Sequence, residues 1–256
     1  TQGQSFPDAL GLTRTEVGHS VGEFYLIPFD GIFQSKDEVN NYKSTDGKVI
    51  QPYASAGDVR YKDTNNDGTI DTKDRVFAGS ALPKLQMGLN LTAAYKGFDL
   101  SVFLNSVTGN YIYNQAKLAL QNYNGPNNYE RDVQPWTPEN PSTTTPRLLQ
   151  GGSADPNLAA AANANANSIT TRWLEKGDYL RLRNVQLGYT FPKTLISKVP
   201  SLGSVRVYVT GRNIFTITKY SGFDPETTGT EFFGRGVDYA IYPNVRTFTG
   251  GIQVNF

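Results

Sequence analysis

The sequence predicts an all-β protein: a segment of an antiparallel transmembrane β-barrel that carries long loops. Three observations predict it. Five stretches alternate strictly with a period of two, aromatic residues stand where those stretches end, and short connections alternate with long ones. Composition agrees: among 256 residues there are 25 Gly, 15 Tyr and 14 Phe, a balance that favours strands and turns over helices.

The first stretch is Leu85–Tyr95, where Leu85, Met87, Leu89, Leu91, Ala93 and Tyr95 alternate with Gln86, Gly88, Asn90, Thr92 and Ala94. Lys96-Gly97 then reads as a two-residue hairpin turn. In the second stretch Phe98, Leu100, Val102 and Leu104 share one face, and Asp99, Ser101, Phe103 and Asn105 the other. The third sets Val185, Leu187, Tyr189 and Phe191 against Asn184, Gln186, Gly188 and Thr190. The fourth sets Val205, Val207 and Val209 against Arg206, Tyr208 and Thr210. The fifth sets Phe248, Gly250, Ile252, Val254 and Phe256 against Thr247, Thr249, Gly251, Gln253 and Asn255. Such alternation puts each set on one face of a sheet.

A β-sandwich would alternate in the same way with its apolar faces turned inward. A secreted, calcium-stabilised, glycan-binding sandwich is therefore the second reading. Barrel features outweigh it. The stretches approach the ~9–11 residues of a tilted membrane strand. Their polar faces hold small uncharged residues, as suits a lumen wall. Tyr95, Phe98, Phe191 and Phe256 sit at strand ends, where an aromatic girdle is expected. Five strands cannot close a barrel, whose smallest form has about eight. Either weaker strands precede Leu85, around Val21–Ile27, or the chain is a piece of something longer, and the second is the reading adopted. Thr1–Ser5 contain no Met, no basic stretch and no apolar run, so either a leader has been removed or the chain is such a piece.

Several function classes fall away. The formal net charge is +1, with Lys+Arg 24 and Asp+Glu 23, far from the basic field that nucleic acid demands. Cys 0 and His 1 exclude disulfides and thiolate sites, and leave no catalytic metal centre or Ser-His-Asp arrangement. The single histidine, His19, is read as structural. No paired carboxylates can be assigned to glycoside hydrolysis, so an enzyme is not expected. No run approaches the ~20 apolar residues of a membrane helix.

Connections carry the remaining signals. Lys96-Gly97 is short and Pro192–Gly203 moderate, whereas the stretches at 30–84, 107–177 and 222–243 are long. Outer-membrane barrels have short periplasmic turns and long external loops, so those three regions are expected outside. The low-complexity stretch Asn157–Asn167 is expected to be mobile within one of them. Residues 63–74 match the twelve-residue calcium loop. Asp63, Asn65, Asp67, Asp71 and Asp74 supply side-chain oxygens at positions 1, 3, 5, 9 and 12, and Thr69 offers its carbonyl at 7. Gly68 makes the sharp turn at position 6, and Ile70 can pack inward. Asp74 replaces the usual Glu, as in structural rather than sensing sites, so Ca²⁺ is expected as a structural ion.

Other residues are weaker candidates. Arg181 and Arg183 read as arginines at a headgroup rim, with a lumen-facing substrate contact as the alternative. Trp136, within Pro135-Trp136-Thr137-Pro138-Glu139-Asn140-Pro141, suits a loop anchor or a sugar-stacking ring. Gly109-Asn110 and Gly211-Arg212-Asn213 read as turns or bulges. No substrate-binding residue can be named.

Taken in order, these stretches resemble a known family. Thr15–His19 with Asp30–Gln34, Asp63–Arg75 running to Pro83, Leu89–Asn105, Trp136–Pro141, Asp178–Pro192, Gly211–Thr216 and Tyr242–Phe256 are similar to the C-terminal region of SusC/RagA-type TonB-dependent outer-membrane transporters. The resemblance implies a plugged barrel of ~22 strands, in the outer membrane of a Gram-negative bacterium. It implies import of oligosaccharides or peptides, a SusD-type lipoprotein lid and energy from the TonB complex. The family's plug and TonB box have no counterpart in these residues, so the chain is expected to supply wall and external loops. The alternation running up to Phe256 also resembles the signal read by barrel-assembly machinery.

Overall fold

The computed structural model describes residues 6–7, 10–122, 130–149, 153–197, 201–226 and 235–256. The expectation placed on Thr1–Ser5 lies outside them, as do the parts of the long connections at 123–129, 150–152 and 227–234. The chain divides into two compact units. One comprises Thr1–Leu82, Tyr111–Glu175 and Thr227–Ala240; the other comprises Pro83–Asn110, Lys176–Glu226 and Ile241–Phe256.

The second unit is built on one antiparallel sheet of five long strands, Leu85–Tyr95 (β1), Phe98–Thr108 (β2), Tyr179–Thr190 (β3), Ser204–Thr218 (β4) and Thr247–Asn255 (β5). Each strand pairs with its neighbour in the chain, giving the order β5-β4-β3-β2-β1. All five predicted stretches are strands. The turn between β1 and β2 has positive φ at both central residues, 45° at Lys96 and 88° at Gly97, the twist that a two-residue hairpin needs. A Cβ on Gly97 would also lie 2.8 Å from the carbonyl oxygen of Thr190, so a side chain there would collide with backbone.

Register carries the alternation across the whole sheet. Ala93, Leu100, Leu187 and Val209 stand in one row, and Tyr95, Phe98, Tyr189, Val207 and Ile252 in the next. β3 and β4 are longer than their sequence pattern suggested. The reason is a bulge: Leu182 faces Leu104 and Asn184 faces Phe103, which leaves Arg183 as an extra residue. The extra residue reverses the phase of alternation, from Leu180 and Leu182 to Val185, Leu187 and Tyr189. A period-two pattern therefore finds only the half of β3 after the bulge. β4 answers with its own irregularity opposite, near Asn213, whose φ is 50°.

The first unit holds short strands and helices around small cores. Leu12, Phe24, Leu26, Tyr113, Leu118, Trp173 and Val237 form one cluster, and Ile27, Ile32, Val59 and Tyr61 another. The stretch suggested as an early barrel strand is the four-residue strand Glu23–Leu26. It belongs to a small sheet and buries Phe24 and Leu26 completely, so it is too short to span a membrane.

The low-complexity stretch is also different from expectation: Pro156–Asn165 is an ordered helix. Asp155 caps it by accepting the Asn157 N–H at 2.8 Å, and Pro156 starts it. Ala161 and Ala162 are buried, because small side chains let the helix approach its neighbours closely. Asn165 fixes it in place. Its Oδ1 accepts the Val59 N–H at 2.8 Å, and its Nδ2 donates to Asp58 Oδ1 at 3.0 Å. Arg147 closes the same carboxylate with two bonds of 2.7 and 2.9 Å. Among the described residues no helix is long and apolar enough to cross a membrane.

Candidate functional site

The two faces of the five-stranded sheet differ in chemistry. On one face Leu85, Met87, Leu89 and Leu91 are each about half exposed, at 50–51%. Phe98, Leu187, Val209, Phe248 and Ile252 on the same face are exposed as well. A sandwich would bury this face against a second sheet; among the described residues nothing covers it, as on a lipid-facing wall. Aromatic rings gather at the hairpin end. Phe98 and Tyr189 lie 4.6 Å apart between ring centres, Tyr189 and Phe191 5.3 Å, and the Lys96 ammonium stands 5.1 Å from the ring centre of Tyr95. That is the girdle expected at a membrane interface.

The opposite face is polar. Arg206 on β4 reaches across β3 to Asp99 on β2, with Nε donating to Oδ1 at 2.9 Å. The pair passes directly over Gly188, where a Cβ would strike both side chains. Glycine at that position is the condition for a charge pair spanning three strands.

At the loop end of the sheet lies a second charged group. Arg181 is only 2% exposed. Its Nε donates to Thr216 Oγ1 at 2.9 Å, Nη1 to Glu226 Oε2 at 2.8 Å, and Nη2 to Asp224. Arg183 donates to the other oxygen of Glu226. Asn244 donates to Asp224 Oδ2 through its backbone at 2.9 Å and its side chain at 3.1 Å. Burial alone would raise the Asp224 pKa. The Glu226 and Asn244 N–H groups and the Arg181 guanidinium outweigh it and hold the carboxyl below the usual range. Arg181 is therefore buried rather than open: two carboxylates of the following connection neutralise it, and one of them, Asp224, also holds Asn244. Sequence reading missed Asp224, Glu226 and Asn244. The available signal was two arginines in a strand with no acid of its own, which demand counter-charges from elsewhere. Beside this group is a cavity of about 290 Å³, lined by Arg181, Phe215, Phe223, Asp224, Asn244 and Arg246 among others.

The 63–74 loop takes up a succession of tight turns. Asp63 Oδ2 accepts the Gly68 N–H at 2.8 Å, Asn65 Oδ1 accepts that of Asp67 at 3.0 Å, and Asp67 Oδ1 accepts that of Thr69 at 3.0 Å. The Thr69 hydroxyl, then the Asn65 amide, hold the Asp67 carboxyl below its usual pKa. Gly68 has φ of 80°. Asp74 is fully buried and serves the loop itself, with its two oxygens accepting the N–H groups of Thr64 and Asp71, each at 2.8 Å. Asp71 in turn accepts the Lys73 N–H at 2.6 Å. Among the described residues no three acidic or His side chains gather as a ready ligand set. One atom does fit a cation: Asp63 Oδ1 is buried without a hydrogen-bond partner, an expensive state for a carboxylate oxygen.

Trp136 is an anchor: its indole N–H donates to Gln34 Oε1 at 2.9 Å, and its ring packs with the Ile27–Tyr61 cluster. His19 stacks on Phe77 with ring centres 3.4 Å apart and meets Glu23 at 3.2 Å. The Gly211-Arg212-Asn213 signal falls at the irregularity in β4.

No protein-family model matches the chain. Individual proteins do. TonB-dependent receptor P3 of Formosa agariphila is 32% identical over 246 residues, which is 93% of this chain and 22% of the relative. TonB-dependent receptor SusC of Bacteroides thetaiotaomicron is 28% identical over 94% of this chain and 20% of its own length. The solved RagAB peptide transporter superposes with a TM-score of 0.73 at 24% identity, covering 98% of this chain and 24% of that one. The RagAB importer in its open-open state gives 0.69 at 25% identity. The chain thus spans a quarter or less of the length of these relatives. With an apolar sheet face left open and nearly its whole length aligned, the chain matches a barrel segment of SusC/RagA-type TonB-dependent receptors, which are proteins of the Gram-negative outer membrane.

Proposed function

We propose that this segment forms wall and external loops of an importer of large nutrients, oligosaccharides or peptides. In this reading a SusD-type lipoprotein closes the external face. Energy arrives from the TonB complex through parts of the polypeptide beyond this chain. The connections at 30–84, 107–177 and 222–243 lie outside the cell, and no catalytic step is assigned to any residue. The observation that carries the reading is the alignment with TonB-dependent receptors along nearly the whole chain. A chromosomal deletion of the receptor gene tests it. Growth on oligosaccharides or peptides too large for passive pores should fail, growth on their monomers should persist, and the tagged receptor should carry a lipoprotein in equal amount. Unchanged growth on every large substrate would sink the importer reading. Recovery without a lipoprotein would remove the lid.

The same proposal includes a structural Ca²⁺ in the 63–74 loop, held by Asp63, Asn65, Asp67, the Thr69 carbonyl, Asp71 and Asp74. The partnerless Asp63 oxygen and the calcium-loop turns around Gly68 support it. Terbium luminescence of the intact receptor should rise on titration and fall with added calcium, and Asp63→Ala should abolish it. A chelator that leaves both luminescence and thermal transition unchanged would refute the site.

A further inference from the structure

We propose that the cavity at the loop end of β4 binds the phosphate of a lipid headgroup, with Arg246 as its anchoring charge. The inference goes beyond import, and rests on the proposed placement of the long connections only in assigning the lipid to the outer surface. The cavity brings together Arg181, Asn213, Phe215, Phe223, Asn244 and Arg246 within about 290 Å³. Its charges do not cancel. Arg181 and Arg183 are satisfied by Asp224 and Glu226. Arg246 is exposed and, among the described residues, has no hydrogen bond or ion pair. Among the described residues, three guanidiniums against two carboxylates leave one positive charge, on the solvent-facing Arg246.

Position supplies the second argument. Arg246 directly precedes β5, where the exposed apolar face begins with Phe248. Phe215 and Ile217 of β4 pair with Leu182 and Leu180 and are exposed on the same face. A lipid whose acyl chains cover Phe248, Phe215 and Ile217 carries its headgroup to the strand ends, at the level of Arg246. A guanidinium offers a forked pair of donors that matches a phosphate's oxygens, and the exposed Phe223 and the two prolines lining the cavity, Pro225 and Pro243, give the headgroup an apolar floor. Inorganic phosphate would gain the fork and lose the chains, so it should bind far more weakly.

The test uses the intact receptor in detergent, with diphosphoryl lipid A as the probe and native mass spectrometry as the readout. Arg246→Ala should weaken binding about tenfold, the scale of one charge-assisted contact. Arg246→Lys should retain most of the affinity. Arg212→Ala, an exposed arginine on the polar face of β4, should change nothing. The dephosphorylated probe should bind the native receptor as weakly as the full probe binds Arg246→Ala. Equal affinity in Arg246→Ala, an equal loss in Arg212→Ala, or equal binding of the dephosphorylated probe would each overturn the site. Competition by inorganic phosphate at the probe's own concentration would show a free-anion site and overturn the lipid assignment.

Discussion

Gly57 shows how one residue can fix a loop. Its φ is 88°, and a Cβ there would strike the Trp136 ring and Arg147. The same glycine donates its N–H to the Phe33 carbonyl at 2.7 Å and accepts the Arg147 N–H at 2.8 Å. Trp136 thus lies flat on a bare backbone, and a side chain would cost both conformational strain and packing. Gly57→Ala should destabilise this part of the first unit by about 1–3 kcal/mol. Hydrogen exchange of the 136–147 amides in the intact receptor checks it, and unchanged protection would refute the account. Gly188 is the counterpart in the sheet, bare so that Asp99 and Arg206 can meet above it. Sequence reading could see Trp136 as an anchor, since an indole flanked by prolines needs a partner. It could not see Gly57 as the surface beneath it, because the two are brought together only by tertiary contact.

At the scale of elements, the two faces of β1 make opposite predictions. Leu89→Arg, on the open apolar face, should destabilise the folded receptor in lipid by about 2–4 kcal/mol, the cost of a cation near the bilayer midplane. Asn90→Arg, one residue along on the polar face, should cost much less. Denaturant unfolding from phospholipid vesicles separates them, and equal effects would contradict the lipid-facing assignment. The Glu226 and Asn244 amides are held by the Asp224 carboxylate, and the pH dependence of those contacts follows from it. A carboxyl held below its ordinary pKa when folded contributes stability above that ordinary value of about 4 and loses it as pH falls through the folded value. Protection of the Glu226 and Asn244 amides should therefore hold from neutral pH to about 4 and decay in more acidic solution, while Asp224→Asn should lack it throughout. Alternation made β1, β2 and β5 legible nearly to their ends. In β3 it failed before the bulge at Arg183, where the phase reverses. The Pro156–Asn165 helix escaped notice because a run of Ala and Asn has no apolar stripe, and its stability comes from the Asn165 and Asp58 contacts rather than from its own pattern.

For the whole molecule, the informative feature is the open sheet. β1 and β5 each lie at an edge, and an unpaired edge in lipid leaves N–H and C=O groups without partners. The relatives of which this chain covers 20–24% indicate where those partners come from. The native polypeptide should have roughly four to five times the 28.2 kDa of this chain. Denaturing electrophoresis of the outer-membrane fraction tests this, and a band at 28 kDa that is folded and lipid-inserted would contradict it. The barrel was legible from sequence because strand alternation is local. The charged group at Arg181 was not, because its carboxylates arrive from 43 and 45 residues away.

The β1–β2 hairpin has a consequence in time. Its turn is preset by Lys96 and Gly97, and its partners are adjacent in the chain, so it can close within about 1–10 μs. The contacts that join β2 to β3 and β4 span large loops and must come later. For that interval the hairpin presents Leu85, Met87, Leu89 and Leu91 to water with nothing to cover them. An assembling chain of this kind needs an escort that shields a formed ribbon rather than an extended strand.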